Sequence, residues 1–380
     1  MPRYRPAAEL RHNKLLIDGE PQLFEGFTLL HILGQGANGV VVAARDLSLD
    51  RDVAIKVWTR QNRRANQGIA EAAKLARLQH PLICTVWAFH PEVHKPWAVL
   101  EQVNGQTVAE WLQQPRTFGQ RFIVWTLVAK ALRHIHKAGS VHGDPHAQNL
   151  MLTSDPTGLA SFFIPPEFSE MGFGFGLKVL DAGASALWDD RKKLVVRESD
   201  VILETFERLI QTPELLGLIE ELSPGPTDRL RELDAVAQLQ ASLLLLSEAD
   251  EAWNAANYDS DDWDEPEAQE ARRRISSARS LALNTICKFR IFSIPRVFEY
   301  LLGYPIYKTR FLVEDLGRRL GFDSLHDEND SVPANSLEIL EARYKGLRDV
   351  KWSSSPMAPR EFRAGSRASS RTRKSPSSAP

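Results

Sequence analysis

Between Ser140 and Leu152 the chain reads SVHGDPHAQNLML, with His142, Asp144, His146 and Asn149 crowded ahead of an apolar, strand-like end. Three local readings suit such a cluster: a metal site of imidazole and carboxylate, a catalytic loop in which Asp144 handles a proton, or a polar turn without chemistry. Asp181 closes a second apolar run, LKVLD. The two histidines upstream, His134 and His136, lie two positions apart on a helical pattern and share no face. That spacing weakens the metal reading.

Upstream, GQGANGVV places Gly34, Gly36 and Gly39 ahead of Val41. G-x-G-x-x-G is weak alone, because glycines also mark ordinary hairpins. Its setting narrows the choice. A dinucleotide fingerprint runs from strand into helix, whereas these glycines lie between two strand-like runs, FTLLHIL and VVVAARD. A glycine hairpin lets backbone amides approach phosphate oxygens with no Cβ in the way. The next run, VAIKVW, sets Lys56 between Ile55 and Val57, so alternation turns the ammonium to the opposite face. In IAEAAKLARL, Glu71 precedes Leu75 and Leu78 by four and seven positions, which puts all three on one helix face. An inward carboxylate needs a cation, and Lys56 is the expected partner. The plain alternative for Lys56 is a solvent-facing lysine.

The glycine hairpin, the Val53-Ala54-Ile55-Lys56 string, His142-Gly143-Asp144 with Asn149 five residues beyond Asp144, and Asp181 at a strand end share one order. In that order the chain resembles the protein kinase-like superfamily, from about Phe24 to Phe206. The resemblance implies ATP and Mg²⁺ as cofactors. Lys56 would pair the α- and β-phosphates and be held by Glu71. Asp144 would orient the acceptor hydroxyl and take its proton, with Asn149 and Asp181 holding Mg²⁺. AVLEQVNGQT resembles a hinge, with Leu100 as gatekeeper and the backbone of Glu101 to Val103 facing adenine. Val41, Ala54 and Met151 would complete the nucleotide site. His142 matches the structural histidine of the loop.

Four departures from the family pattern bear on the acceptor. Gly143 replaces the arginine that usually meets a phosphorylated activation loop, so that switch is expected to be absent. His146 stands where Ser/Thr protein kinases usually carry lysine, and H-G-D-x-H is similar to aminoglycoside phosphotransferases and choline kinases. Ala182 replaces the phenylalanine of D-F-G. No A-P-E follows, and Asp200, which resembles the aspartate opening the central helix of the larger lobe, comes only nineteen residues after Asp181.

The elements that must position these groups form an α+β, bilobal kinase-like fold. Residues 1–21, polar and basic, are an N-terminal extension with an Asp18-Gly19 turn. Residues 22–103 form the β-rich small lobe, four strand-like runs with one inserted helix. Residues 104–246 form the helical lobe, with a Phe- and Pro-rich insert at 153–176 that is expected to pack on its own lobe. The acidic stretch 247–270 lacks the glycine an EF-hand loop requires and is expected to be a solvated linker. Helical stripes resume over 271–348, and the Ser- and Arg-rich tail 349–380 is expected to be disordered.

The chain has 380 residues and a net charge of −2, so no global field points to nucleic acid or an anionic membrane. Two cysteines, Cys84 and Cys287, are too few for a disulfide framework. With no signal-like start and no run long enough to span a bilayer, a cytoplasmic protein with no membrane partner is expected. The functional expectation is an ATP- and Mg²⁺-dependent Ser/Thr protein kinase-like phosphotransferase acting on a protein or small-molecule hydroxyl. The alternatives are a small-molecule kinase and a pseudokinase scaffold.

Overall fold

The computed structural model describes residues 6–288, apart from 37–38, 60–72, 74–76, 92, 156–157, 172–173, 183–190, 212–218, 220–224 and 257–264. The chain opens with three short antiparallel strands, β1 (Ala8–Arg11), β2 (Lys14–Ile17) and β3 (Glu20–Gln22). Each connection is a two-residue turn with both φ angles positive: 48° and 60° at His12-Asn13, 52° and 83° at Asp18-Gly19. Such turns match the right-handed twist of the strands they join. Leu15 and Ile17 are wholly buried and pack with Val40, Val42, Val53, Ile55 and Val57. Residues 1–21 were expected to be an extension; from Ala8 onward they are part of the small lobe. The charged average of this stretch hid an apolar alternation only four residues long.

Five further strands form the small-lobe sheet: β4 (Phe27–Gly36), β5 (Gly39–Asp46), β6 (Arg51–Trp58), β7 (Val86–His90) and β8 (Trp97–Glu101). They are antiparallel in the order β4-β5-β6-β8-β7. The edge strand β7 is half-exposed, which left no clean alternation to read. The inserted helix expected around IAEAAKLARL, and with it Glu71, lies outside the described residues.

In the larger lobe, Thr107 and Thr117 each close a capping box, with Glu110 and Gln120, and start α1 (Val108–Trp111) and α2 (Phe118–Lys137). Helix α2 is the core of the lobe, with Phe122, Trp125, Leu127 and Ile135 fully buried. It ends at Ala138, followed by Gly139 at φ +69°. A small sheet, β9 (Gly105–Thr107), β10 (Leu150–Ser154) and β11 (Phe175–Val179), carries the catalytic-loop residues at its ends. The insert between β10 and β11 packs inward, with Phe168 edge-on to Phe122 at 4.7 Å, although Phe162 is exposed.

Helices α3 (Arg191–Ile210), α4 (Pro226–Ala256) and α5 (Pro266–Lys288) complete the described lobe. Two expectations need correction. The stretch 247–270 is not a linker throughout, because α4 runs on to Ala256 and α5 begins at Pro266. Ala268 is buried, although Ala252, Ala255 and Ala256 at the end of α4 are exposed. Asp200 does not open a helix; it sits exposed in the middle of α3. Among the described residues no helix is long and apolar enough to cross a membrane.

Candidate active site

The two lobes meet where β11 leaves the small sheet. Leu82 and Cys84 exchange backbone hydrogen bonds with Val179, at 2.8 and 2.9 Å, so the start of the Asp181 segment is registered against the approach to β7. Lys56, in the centre of β6, is almost fully buried and forms an ion pair with Asp181. A buried ammonium requires such a partner. Asp181 sits at φ +59°, a left-handed conformation unusual for a residue with a side chain.

Around this pair the strands set the expected lining. Val41 is in register with Lys56, and Ala54 with Ala43 on one side and Leu100 on the other. Ala54 is buried, and Met151 on β10 is half-buried opposite Lys178 and Thr107. The glycines divide into two kinds. A Cβ at Gly34 or Gly36 would meet no atom within 4 Å, whereas one at Gly39 would lie 2.0 Å from the Val57 carbonyl oxygen. Gly34 and Gly36 therefore face open space, while Gly39 is required by the sheet itself.

At the hinge, the Glu101 amide donates to the Thr85 carbonyl at 2.8 Å. Its carboxylate accepts from the Thr85 amide at 3.1 Å and from Lys178 Nζ at 2.8 Å, tying the hinge to β11. The Cys84 thiol points to the Glu101 carbonyl at 3.6 Å, and burial pushes that thiol up to about 12. It stays protonated and remains a weak donor. Val103 follows, half-buried.

The catalytic loop is fixed by different means. His142 is almost wholly buried, and burial holds its imidazole below the ordinary histidine range. Its Nδ1 accepts from the Asp144 amide at 3.2 Å, which leaves Nε2–H to donate to the Leu180 carbonyl at 2.8 Å. Gly143 takes φ +88°, so any other residue there would be strained. Asn149 Nδ2 donates to the Asp144 carbonyl at 2.9 Å, which fixes its side-chain amide. The Asp144 carboxylate is half-buried, with Arg197 Nη2 at 2.6 Å and His146 Nε2 at 3.7 Å, both on Oδ2.

Arg197 and its neighbour Glu198 were not among the residues singled out from the sequence. Glu198 is wholly buried; one oxygen accepts from the Gly143 amide at 2.8 Å and the other meets His136 Nε2 at 2.7 Å. A signal for it existed. Leu194, Glu198, Ile202 and Phe206 are spaced by four and all buried, so a carboxylate interrupts an apolar stripe. Asp200, two positions on, matches the family spacing, yet it is exposed and meets the buried Arg229 only at 3.5 Å.

Lys56 thus pairs with Asp181, the preceding Leu180 amide donates to the Asn149 carbonyl at 2.8 Å, and Asn149 bonds Asp144, which links the four residues. A protein kinase domain family model matches residues 27–207. Those residues therefore carry the pattern of a protein kinase domain. A probable serine/threonine-protein kinase of Streptomyces coelicolor is 28% identical over 240 residues, covering 60% of this chain and 31% of that protein. The serine/threonine-protein kinase PknB of Mycobacterium tuberculosis is 30% identical over 173 residues, covering 43% of this chain and 26% of that protein. The chain therefore spans less than a third of the length of these relatives. Among solved structures, a mutant of the PknI kinase domain of Mycobacterium tuberculosis aligns at 20% identity and a TM-score of 0.41, covering 58% of this chain and 97% of that one.

Proposed function

We propose that this domain is an ATP- and Mg²⁺-dependent phosphotransferase of Ser/Thr protein kinase type, transferring the γ-phosphate to a hydroxyl. The observation that carries the reading is the meeting of Lys56 and Asp181, from opposite lobes, with Asn149 bonded to Asp144 beside them. The oxygens of Asp181 and Asn149 are hard donors in the small number that suits Mg²⁺, which completes its shell with water and phosphate. When bound, Mg²⁺ supplies neutralisation of charge on the phosphates. Lys56 contributes a second, fixed positive charge. Glu71 is the carboxylate assigned to hold Lys56 when Asp181 turns to the metal. Asp144 orients the acceptor hydroxyl and takes its proton. The backbone of Glu101 and Val103, with Val41, Ala54 and Met151, is assigned to adenine. The free Cys84 suits a reducing compartment, and we place the protein in the cytoplasm.

A second reading, a small-molecule acceptor, rests on one observation. Helix α3 begins at Arg191, ten residues after Asp181, which leaves a short segment for a peptide-docking surface. Incubation with γ-labelled ATP and Mg²⁺, with protein and low-mass fractions counted separately, decides between them. Label in the protein fraction supports the first reading, and label confined to a phosphorylated metabolite supports the second. Nucleotide binding with no transferred label would overturn both in favour of a scaffold.

A further inference from the structure

Helix α3 grips the catalytic loop at three consecutive residues. Glu198 accepts from the Gly143 amide at 2.8 Å, Arg197 donates to the Asp144 carboxylate at 2.6 Å, and Thr205 Oγ1 donates to the Pro145 carbonyl at 3.0 Å. Glu198 and Thr205 are buried and bind backbone, so they fix the path of the loop. Arg197 alone acts on the reactive side chain. Its guanidinium holds Oδ2, the oxygen that His146 also approaches, and so sets the rotation of the carboxylate and the direction of Oδ1. A planar, delocalised cation suits this task better than a mobile ammonium.

We propose that Arg197 is the positioning residue for Asp144, supplying from α3 the orientation of the carboxylate that Gly143, lacking a side chain, cannot help to set. The role rests on the phosphotransferase reading above for its purpose, but the contact with Asp144 can be tested apart from it. It also gives the loop a support built into the domain, needing no modification of the segment before α3.

The test uses the full chain with Arg197→Ala and Arg197→Lys. The first measurement is amide hydrogen exchange at His146 and Asn149, whose amides donate to Asp144 and His146 carbonyls. Arg197→Ala should speed exchange there by about tenfold, while Gly143 and the interior of α2 keep wild-type rates. Arg197→Lys should restore most of the protection. The second is labelled-phosphate transfer from ATP to the protein itself, to casein and to water. Here kcat should fall about 10²-fold in Arg197→Ala, as for a small misplacement of a reacting group, with nucleotide affinity unchanged and partial rescue by lysine. Unchanged exchange at His146 and Asn149 would overturn the assignment, as would loss of protection at Gly143 and α2 together, which marks general loosening. If the wild type transfers no phosphate while the exchange pattern holds, the phosphotransferase reading fails and the positioning role of Arg197 stands.

Discussion

The two sides of the site, assigned above by proposal to nucleotide and to acceptor, are held by opposite strategies. On the nucleotide side the parts are strand-borne, and their placement follows from β register: Val41 beside Lys56, Ala54 beside Leu100, the glycine hairpin above. Among the described residues, the ion pairs Lys56–Asp181 and Glu101–Lys178 cross to the other lobe there, beside the backbone bonds of Leu82 and Cys84 to Val179. On the acceptor side a loop without regular structure is held by side chains from distant helices, His136 from α2 and Arg197, Glu198 and Thr205 from α3. The lesson is about chemistry as much as architecture. Phosphate binding needs backbone amides and one buried cation, which a sheet delivers cheaply in sequence. Orienting a carboxylate needs a three-dimensional cage.

The comparison is broken most forcefully by substitutions at its two carboxylates. Asp144→Asn should keep nucleotide binding and reduce transfer by roughly 10²–10⁴-fold, since general-base groups contribute on that order. Asp181→Ala should remove the Mg²⁺ dependence of nucleotide binding as well. Titration with a fluorescent ATP analogue, with and without Mg²⁺, beside a transfer assay, separates the two. Equal behaviour of the variants would erase the division of the cleft into two sides. Next in size is Glu198→Ala, which strands the Gly143 amide and His136 in the interior. Removing one partner of a buried pair costs about 3–5 kcal/mol, so the urea midpoint should fall sharply. Asp200→Ala, two residues away, removes only a 3.5 Å contact of an exposed carboxylate with Arg229 and should lower the midpoint far less.

The same contrast explains what was legible in the sequence. Gly34, Gly36, Lys56, Asp144, Asn149 and Asp181 are found together because each is tied to neighbours by local spacing: two residues in the hairpin, five in the loop, the end of a strand. Arg197 and Glu198 act on a loop more than fifty positions earlier, and no local spacing records a tertiary hydrogen bond. Glu198 left a trace only as a break in an apolar stripe. The β1–β3 sheet was missed for another reason: four-residue strands carry too few alternations to stand out against charged turns. The acidic run over 247–270 misled through composition, since α4 continues to Ala256 and α5 begins at Pro266 despite the charge.

A smaller effect sharpens the comparison within the nucleotide side. Gly39→Ala drives a Cβ to 2.0 Å from the Val57 carbonyl, so β5 and β6 must separate. The expected loss is about 1–3 kcal/mol, in the range of overpacking. Gly36→Ala meets open space and should leave the urea midpoint near that of wild type, while weakening ATP binding by holding amides away from the phosphates. If Gly39→Ala is as stable as Gly36→Ala, the division of the glycines into sheet-borne and phosphate-facing fails.

The smallest expected effect concerns the residue that joins the two sides. His142 belongs to the acceptor loop, yet its Nε2–H binds the Leu180 carbonyl, one residue before Asp181. Burial is the main reason its imidazole lies below the ordinary histidine range, and the nearby Glu198, Asp181 and Asp144 oppose the shift without cancelling it. Protonation would also cost Nδ1 its role as acceptor for the Asp144 amide. Above a pH of about 6.5 the histidine is neutral in both folded and unfolded chains and contributes no pH dependence. As pH falls through that value the unfolded chain gains a proton that the folded chain refuses. Stability then declines, by at most about 1.4 kcal/mol per pH unit, until the folded value is reached. His142→Gln keeps a side-chain donor for the Leu180 carbonyl but cannot titrate. Urea midpoints at pH 7.5, 6.5 and 5.5 should therefore fall more steeply for wild type than for the variant between the last two points. Parallel slopes would mean that His142 can charge in place, and that the joint between the two sides of the cleft is looser than its hydrogen bonds imply.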